Sequence, residues 1–512
     1  MGKCSYSDWD IAAKAALLEV SMRSSGVLMH ISSLPSPFGI GTMGEAAREF
    51  VNFLSASDQR YWQVLPVSPT GYGDSPYQSF SSYAGNPYFI DLDELCAEGL
   101  LEPFEYRETN WGGDPERVDY GLLYEKRFPL LRRACERLLS RADASLNEFF
   151  SLNAFWLDNY ALFMALKDAH GGAAWTSWEP ALRFRDTAAL DFARTAYADS
   201  IAFYKALQYL FFRQWRALRH YANERGISII GDMPIYVAPD SADVWAEPQW
   251  FMLDSNLFPT EVAGCPPDGF SADGQLWGNP LYNWEENKKS GYSWWIRRAA
   301  HQFELYDALR IDHFRGFDTF YAIPAGSENA RQGVWRDGPG IELFTTIKNA
   351  LGDRNFIAED LGFLTPSVRH LVSESGFPGM KVLQFAFDSR EDSDYLPHNF
   401  TKNCVAYTGT HDNDTILGWF KTASPDDTKK ARDYLRIHQN ESEAFAMLSA
   451  LWGSVSDLVI AQMQDLLELD SRGRMNTPGT MRGNWQWRMS PNAETDKIMR
   501  RLAHMTRLYG RA

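Results

Sequence analysis

Three short apolar runs in this chain each lead into an acid: ALRIDHFRG (308–316) into Asp312, FIAEDLG (356–362) into Glu359, and VAYTGTHDND (405–414) into Asp412. A fourth run, SIIGDMPIYV (228–237), carries Asp232. A strand-length run that stops on a carboxylate aims the side chain out of the sheet's carboxyl end, where a parallel barrel keeps its active site. One such end is ordinary, since capping or ion pairing accounts for most lone acids there; four together form a constellation. The chemistry open to paired carboxyl groups is cleavage of a glycosidic bond with retention. One carboxylate attacks the anomeric carbon and a second, protonated group hands the leaving oxygen its proton, the two standing about 5–5.5 Å apart. Asp312 and Glu359, on neighbouring strand ends, can meet that distance. Metal-assisted hydrolysis is the competing chemistry, because His30, Asp232, His313, Glu359, His411 and Asp412 are ligand types of barrel metallohydrolases. No His-x-His or His-Glu-x-x-His spacing joins them, so neither a metal nor an organic cofactor is expected.

Such acids need a scaffold that delivers them to one end. The segment 201–226 places Phe203, Leu207, Leu210, Phe211, Gln214 and Leu218 at helical spacing and ends on Gly226, followed at once by the run that holds Asp232. The same helix-then-strand alternation recurs through IRRAAHQFELYDALRID, ELFTTIKNALGDRNFIAED and PSVRHLVSESGFPGMKVLQFAFD. It predicts an α/β protein with a parallel sheet. With acids at the strand ends, the reading taken is a (β/α)8 TIM barrel with large, mostly helical insertions between strands, the competing organisation being two or three domains. RYWQVLPVSP (60–69) and NPYFIDLDEL (86–95) read as further strands, as does QFAFD (384–388), which would put Asp388 at a strand end as a substrate-contact candidate. Residues 1–22 read as an N-terminal extension, and 23–512 as one catalytic barrel. Within it, a helical subdomain is expected at about 96–200 and a lid or insertion at about 238–300.

Composition narrows the partners. At 512 residues the chain exceeds a plain barrel of about 250, as large insertions require. The apolar fraction is 45%, and no run reaches the roughly 18 uninterrupted apolar residues of a membrane span, so no membrane partner is expected. A formal charge of −16 without a basic stripe argues against nucleic acid. Five scattered cysteines without Cys-x-x-Cys spacing fit a reducing compartment, and the N-terminus resembles neither a secretory signal nor a transit peptide, so the expected location is cytoplasmic. Aromatic residues make up 14% of the chain, enough to stock both a large core and faces on which sugar rings can stack.

The wording around the four acids resembles that of 4-α-glucanotransferases of the amylomaltase or disproportionating type, glycoside hydrolase family 77, over most of the chain. The resemblance implies that Asp312, in Arg-Ile-Asp-His, is the nucleophile and that Glu359, in Ala-Glu-Asp-Leu-Gly, is the acid/base. It implies that His411 and Asp412 grip sugar hydroxyls, with Asp412 stabilising the transition state. Arg310, two residues before Asp312 and on the same strand face, is expected to hold the nucleophile ionised by charge pairing. Asp232 matches the family's Gly-Asp-x-Pro-Ile. Tyr77 in SPYQ contacts donor sugar in the family, and Tyr72 lies in the same segment. AGCPPDGFSADGQLWGNPLYNW (263–284) is similar to the family's lid over the groove, with Asp268 inside it and Trp277 and Asn279 beyond; Gly269 stands where some relatives have tyrosine. SSGVLMHISSLPSPFGIG (24–41) and RMNTPGTMRGNWQWR (474–488) also match, the second expected near the last strand's loop as groove lining. The implied reaction moves a segment of an α-1,4-glucan to the 4-hydroxyl of another glucan or of glucose through a β-glucosyl ester, with maltooligosaccharides as substrates. The alternatives are an α-1,4-glucan hydrolase using the same site and a non-catalytic glucan-binding protein on the same barrel.

Overall fold

The computed structural model describes residues 23–512 except 72, 268–270, 363, 481 and 494. The N-terminal extension, Tyr72, Asp268 and Gly269 therefore lie outside the described residues. Eight strands close a barrel: β1 (Ser24–Leu28), β2 (Tyr61–Gln63), β3 (Ser228–Met233), β4 (Ala308–Ile311), β5 (Phe356–Ala358), β6 (Gly379–Val382), β7 (Cys404–Tyr407) and β8 (Leu458–Gln462). Each strand pairs in parallel with the next in sequence, and β8 closes on β1, so every carboxyl end opens on the same rim.

Among the described residues the regular elements between β2 and β3 are all helices or 3-10 turns, the last being the 26-residue helix Ala198–Asn223. That helix buries Phe203, Leu207, Leu210, Phe211, Gln214 and Leu218, the stripe read from its spacing. Its two buried glutamines face loop backbone that no ladder would satisfy. Gln208 accepts from the Gly85 amide at 2.7 Å and donates to the Gly85 carbonyl at 2.9 Å, while Gln214 does the same for Asp91 at 2.7 and 3.2 Å. Gly226 takes φ +72° just beyond the helix, a left-handed turn that releases the chain into β3.

Local chemistry overrode two strand expectations. NPYFIDLDEL is a 3-10 turn, Pro87–Phe89, and a short helix, Leu92–Ala97. Asn86 accepts from the Tyr88 amide, Asp91 caps the helix through the Glu94 amide, and Pro87 has no N–H to give a ladder. QFAFD follows β6 as a 3-10 turn over Leu383–Phe387, with Ala386 and Phe387 buried without strand pairing. Of RYWQVLPVSP only Tyr61–Gln63 is strand. An antiparallel sheet that sequence reading missed joins Gln275–Pro280, Glu261–Cys265, Thr319–Pro324 and Val334–Asp337 in that order. Each of two separate excursions, after β3 and after β4, contributes one antiparallel pair, and the two pairs join through Glu261–Cys265 and Thr319–Pro324.

Gly231 in β3 is required by close approach, because a Cβ there would stand 2.1 Å from the ring of buried Tyr306. Gly231→Ala is therefore expected to cost about 1–3 kcal/mol, read as a lowered urea midpoint with unchanged slope. An unchanged midpoint would show that Tyr306 moves aside freely.

Candidate active site

Strand register delivers the acids. Asp232 on β3 is the register partner of Arg310 on β4, and both Asp232 carboxylate oxygens lie 2.7 Å from Arg310 Nη1. One step along, Ile311 pairs with Ala358, so Asp312 and Glu359 both stand one residue past registered positions on adjacent strands. Their amides continue the ladder, Asp312 N–H to Met233 O at 3.0 Å and Glu359 N–H to Ile311 O at 3.1 Å. Adjacent strands lie about 4.8 Å apart, which sets two such side chains side by side on the rim.

Arg310 is shared. Besides Asp232 it contacts Asp312 Oδ1 at 3.1 Å. Arg310 favours the ionised form of Asp312, but burial outweighs the guanidinium, and the charges of Asp232 and Asp412 add to burial, so the Asp312 carboxyl is held well above the usual range. Glu359 is raised as well, by burial first and by Asp312 among its neighbours, against Arg310 and two amide donors. Those donors are His313 N–H to Oε2 at 2.6 Å and Leu361 N–H to Oε1 at 3.1 Å. In the singly protonated pair, Arg310 on Asp312 and the 29% exposure of the Asp312 side chain favour the charge on Asp312 and the proton on Glu359.

His313 takes left-handed backbone angles, φ 49° and ψ 51°, which a non-glycine residue adopts at a cost of about 1–2 kcal/mol. The twist belongs to the turn whose amide meets Glu359. The His313 ring stands edge-on to Trp277, centroids 4.8 Å apart, and burial lowers its pKa to about 3, so it is neutral.

A second cluster faces the pair. Tyr77 donates its hydroxyl to Asp232 Oδ2 at 2.8 Å and stacks on His411 with centroids 5.0 Å apart. Burial keeps the Tyr77 phenol protonated and the His411 ring below its ordinary pKa. His411 Nε2 is 3.4 Å from Asp412 Oδ1. Asp412 was expected at a strand end, but β7 stops at Tyr407 and Asp412 lies five residues on in the loop. The loop of residues 474–488 holds it there. Asn476 donates to Asp412 Oδ1 at 2.6 Å, and Trp485 sets its ring 5.9 Å from both Tyr77 and His411. Sequence reading gave this loop no chemistry beyond lining, and its only signal was the motif wording.

The remaining candidates separate. Asn279 is buried, donating to Val237 O at 2.8 Å and accepting from Gln78 at 3.2 Å, so it braces the segment that carries Tyr77. Trp277 is half-buried beside His313 and Tyr236. The Asp388 carboxylate is taken by Arg390 at 2.6 and 2.8 Å, and none of its bonds reaches the cluster. Among the described residues no group of three or more His, Cys, Asp or Glu is arranged to hold a metal ion, and no helix is long and apolar enough to cross a membrane.

A closed parallel barrel with two raised carboxyl groups on adjacent strand ends of its carboxyl rim, braced by a buried arginine, has an architecture suited to acid-base work on a bound substrate. The family model for 4-alpha-glucanotransferase, glycoside hydrolase 77, matches residues 29–494, and the chain belongs to that family. Curated relatives agree over nearly the whole length. The 4-alpha-glucanotransferase of Streptococcus pneumoniae is 49% identical over 96% of this chain and 97% of its own, and that of Thermus thermophilus 48% identical over 92% and 95%. The solved amylomaltase from Streptococcus agalactiae in complex with acarbose superposes with a TM-score of 0.94 at 45% identity, covering 96% of this chain and all of that one. An amylomaltase from Corynebacterium glutamicum, at 19% identity and a TM-score of 0.77, shares the fold.

Proposed function

We propose that this chain works as a 4-α-glucanotransferase in which Asp312 attacks the anomeric carbon of an α-1,4-glucan while Glu359 protonates the departing glycosidic oxygen. The products of that half-reaction are a β-glucosyl ester on Asp312 and a released reducing-end fragment. Glu359, now ionised, takes the proton of an incoming 4-hydroxyl as that oxygen displaces the ester, which restores both carboxyl groups. Asp412, with one carboxylate oxygen anchored, offers the other to sugar hydroxyls as charge develops on the ring. Asp232, Arg310, Tyr77 and His411 hold the floor of the donor site, and Trp277 supplies an aromatic wall. The cycle needs carboxyl groups alone. Substrates are α-1,4-glucans and maltooligosaccharides, with glucose as the smallest acceptor, and the cysteine usage fits a cytoplasmic site of action.

The observation that carries this reading is the registered pair Asp312 and Glu359 with Arg310 beneath it. Family membership favours a sugar over water as the group that resolves the ester. Positioning supplies effective molarities of roughly 10⁵ M or more, enough for a held acceptor to outcompete water. Incubation with maltotriose should therefore yield glucose together with longer maltooligosaccharides and almost no net gain in reducing ends. Reducing ends that rise in step with glucose release would make the enzyme a hydrolase.

A further inference from the structure

Asp412 sits on a loop, half exposed, with 47% of its side chain accessible, so its carboxylate needs an anchor to keep one orientation. Only one of its oxygens is anchored within the described residues. Asn476 Nδ2 donates to Oδ1 at 2.6 Å and His411 Nε2 lies 3.4 Å from the same atom, whereas Oδ2 has no such partner. A carboxylate only accepts, so the Asn476 side chain must turn its NH₂ toward it, and the short length fits a charge-assisted bond. The Asn476 backbone is itself fixed from two directions, and its loop is closed beside it. Its amide donates to His411 O at 3.1 Å; Arg474 reaches Asn476 O through Nε at 2.7 Å and Asp412 O through Nη2 at 2.8 Å; and Trp485 N–H closes the loop on Met475 O at 2.8 Å. Trp485 does this with φ +64°, a conformation that costs a bulky residue energy and that brings its ring toward Tyr77 and His411.

We propose that Asn476 is a positioning residue of the reaction: by holding Oδ1 it leaves Oδ2 of Asp412 facing the sugar, and Arg474 locks the two loops that carry the pair. This rests on the role given to Asp412 above, and the test separates the two. Asn476→Ala and Asn476→Asp are made in the wild-type and Asp412→Asn backgrounds. Thermal melting confirms folding, and turnover is followed with maltotriose and with α-maltosyl fluoride, whose reactivity keeps weak variants measurable. Loss of a hydrogen bond to a charged group predicts that Asn476→Ala lowers kcat roughly 10- to 100-fold with KM nearly unchanged. In the Asp412→Asn background the same change should add almost nothing, because the group being positioned is gone. Asn476→Asp keeps the shape but sets a second carboxylate against Asp412. Relative to the wild type at the same pH, its kcat should be lowest at neutral pH and above and recover toward acid, where a proton shared by the two carboxyl groups lets one donate to the other. Equal losses in both backgrounds, or a loss confined to KM, would overturn the proposal. So would Asp412→Asn being crippled while Asn476→Ala is not, and that outcome leaves Asp412's role standing. A fully active Asp412→Asn would remove both.

Discussion

Asp312→Asn is expected to lower turnover by roughly 10⁴- to 10⁶-fold, the scale on which a covalent mechanism fails when its nucleophile is removed. Only Asp312 combines the registered position beside Glu359 with exposure toward the groove. Asp232 is fully engaged with Arg310 and Tyr77, and Asp412 is anchored to Asn476 in another loop, so neither can take over the attack. The fold should survive. An acid whose pKa is raised on folding destabilises the native state once it ionises, and that penalty grows as pH climbs from the unfolded-state value toward the folded one. Above that window Asn removes a destabilising charge, and Arg310 keeps its ion pair with Asp232. The melting temperature at neutral pH should hold or rise slightly. Reaction of the wild type with a fluorinated donor, followed by peptide mass, should find the sugar on the peptide that contains Asp312. Activity within tenfold of wild type in the Asn variant, or a label on another peptide, would end the assignment.

The parts of this site that could be read in the sequence are those where one residue breaks a local pattern. Glu359 and Asp312 each interrupt an apolar run at the point where a strand leaves the barrel, so the acid and its placement are written within a few residues of each other. Arg310 lies two residues before Asp312 and so on the same strand face, which the alternation of side chains carries too. The contacts that organise the second cluster leave no such mark. Tyr77, His411, Asn476 and Trp485 meet only because β2, β7 and β8 converge on one rim, and one sequence records no pairing between residues 77 and 411 or 412 and 476. Nor does an apolar stretch say whether it is buried as strand or as turn, which is why QFAFD misled and why Asp388 proved to be bonded to Arg390. The side sheet failed for a related reason: Leu276, Val334 and Trp335 are exposed, so its edge strands carry little of the burial that makes a strand legible.

Glu359→Gln is the other large expected effect, and its size should depend on the leaving group. In the wild type Glu359 must be protonated when the glycosidic oxygen departs and Asp312 must be ionised when it attacks. Activity then rises as Asp312 loses its proton and falls as Glu359 loses its own. Burial and the neighbouring Asp312 charge hold Glu359 above the ordinary carboxyl range, so the alkaline limb should lie near or above neutrality. Glutamine keeps the shape, but its single carbonyl oxygen can accept from only one of the His313 and Leu361 amides, and it has no acidic proton to give. Turnover of maltotriose, whose leaving sugar needs full protonation, should drop roughly 10²- to 10⁴-fold. An aryl maltoside with a good leaving group needs little proton help in the first step and should form the ester at a rate much closer to wild type. Its second step has lost the general base, so a burst of the aryl alcohol should precede slow turnover, and that burst should no longer decline at alkaline pH. Equal losses on both substrates, or an alkaline limb that persists in the burst, would take the proton-donor role away from Glu359.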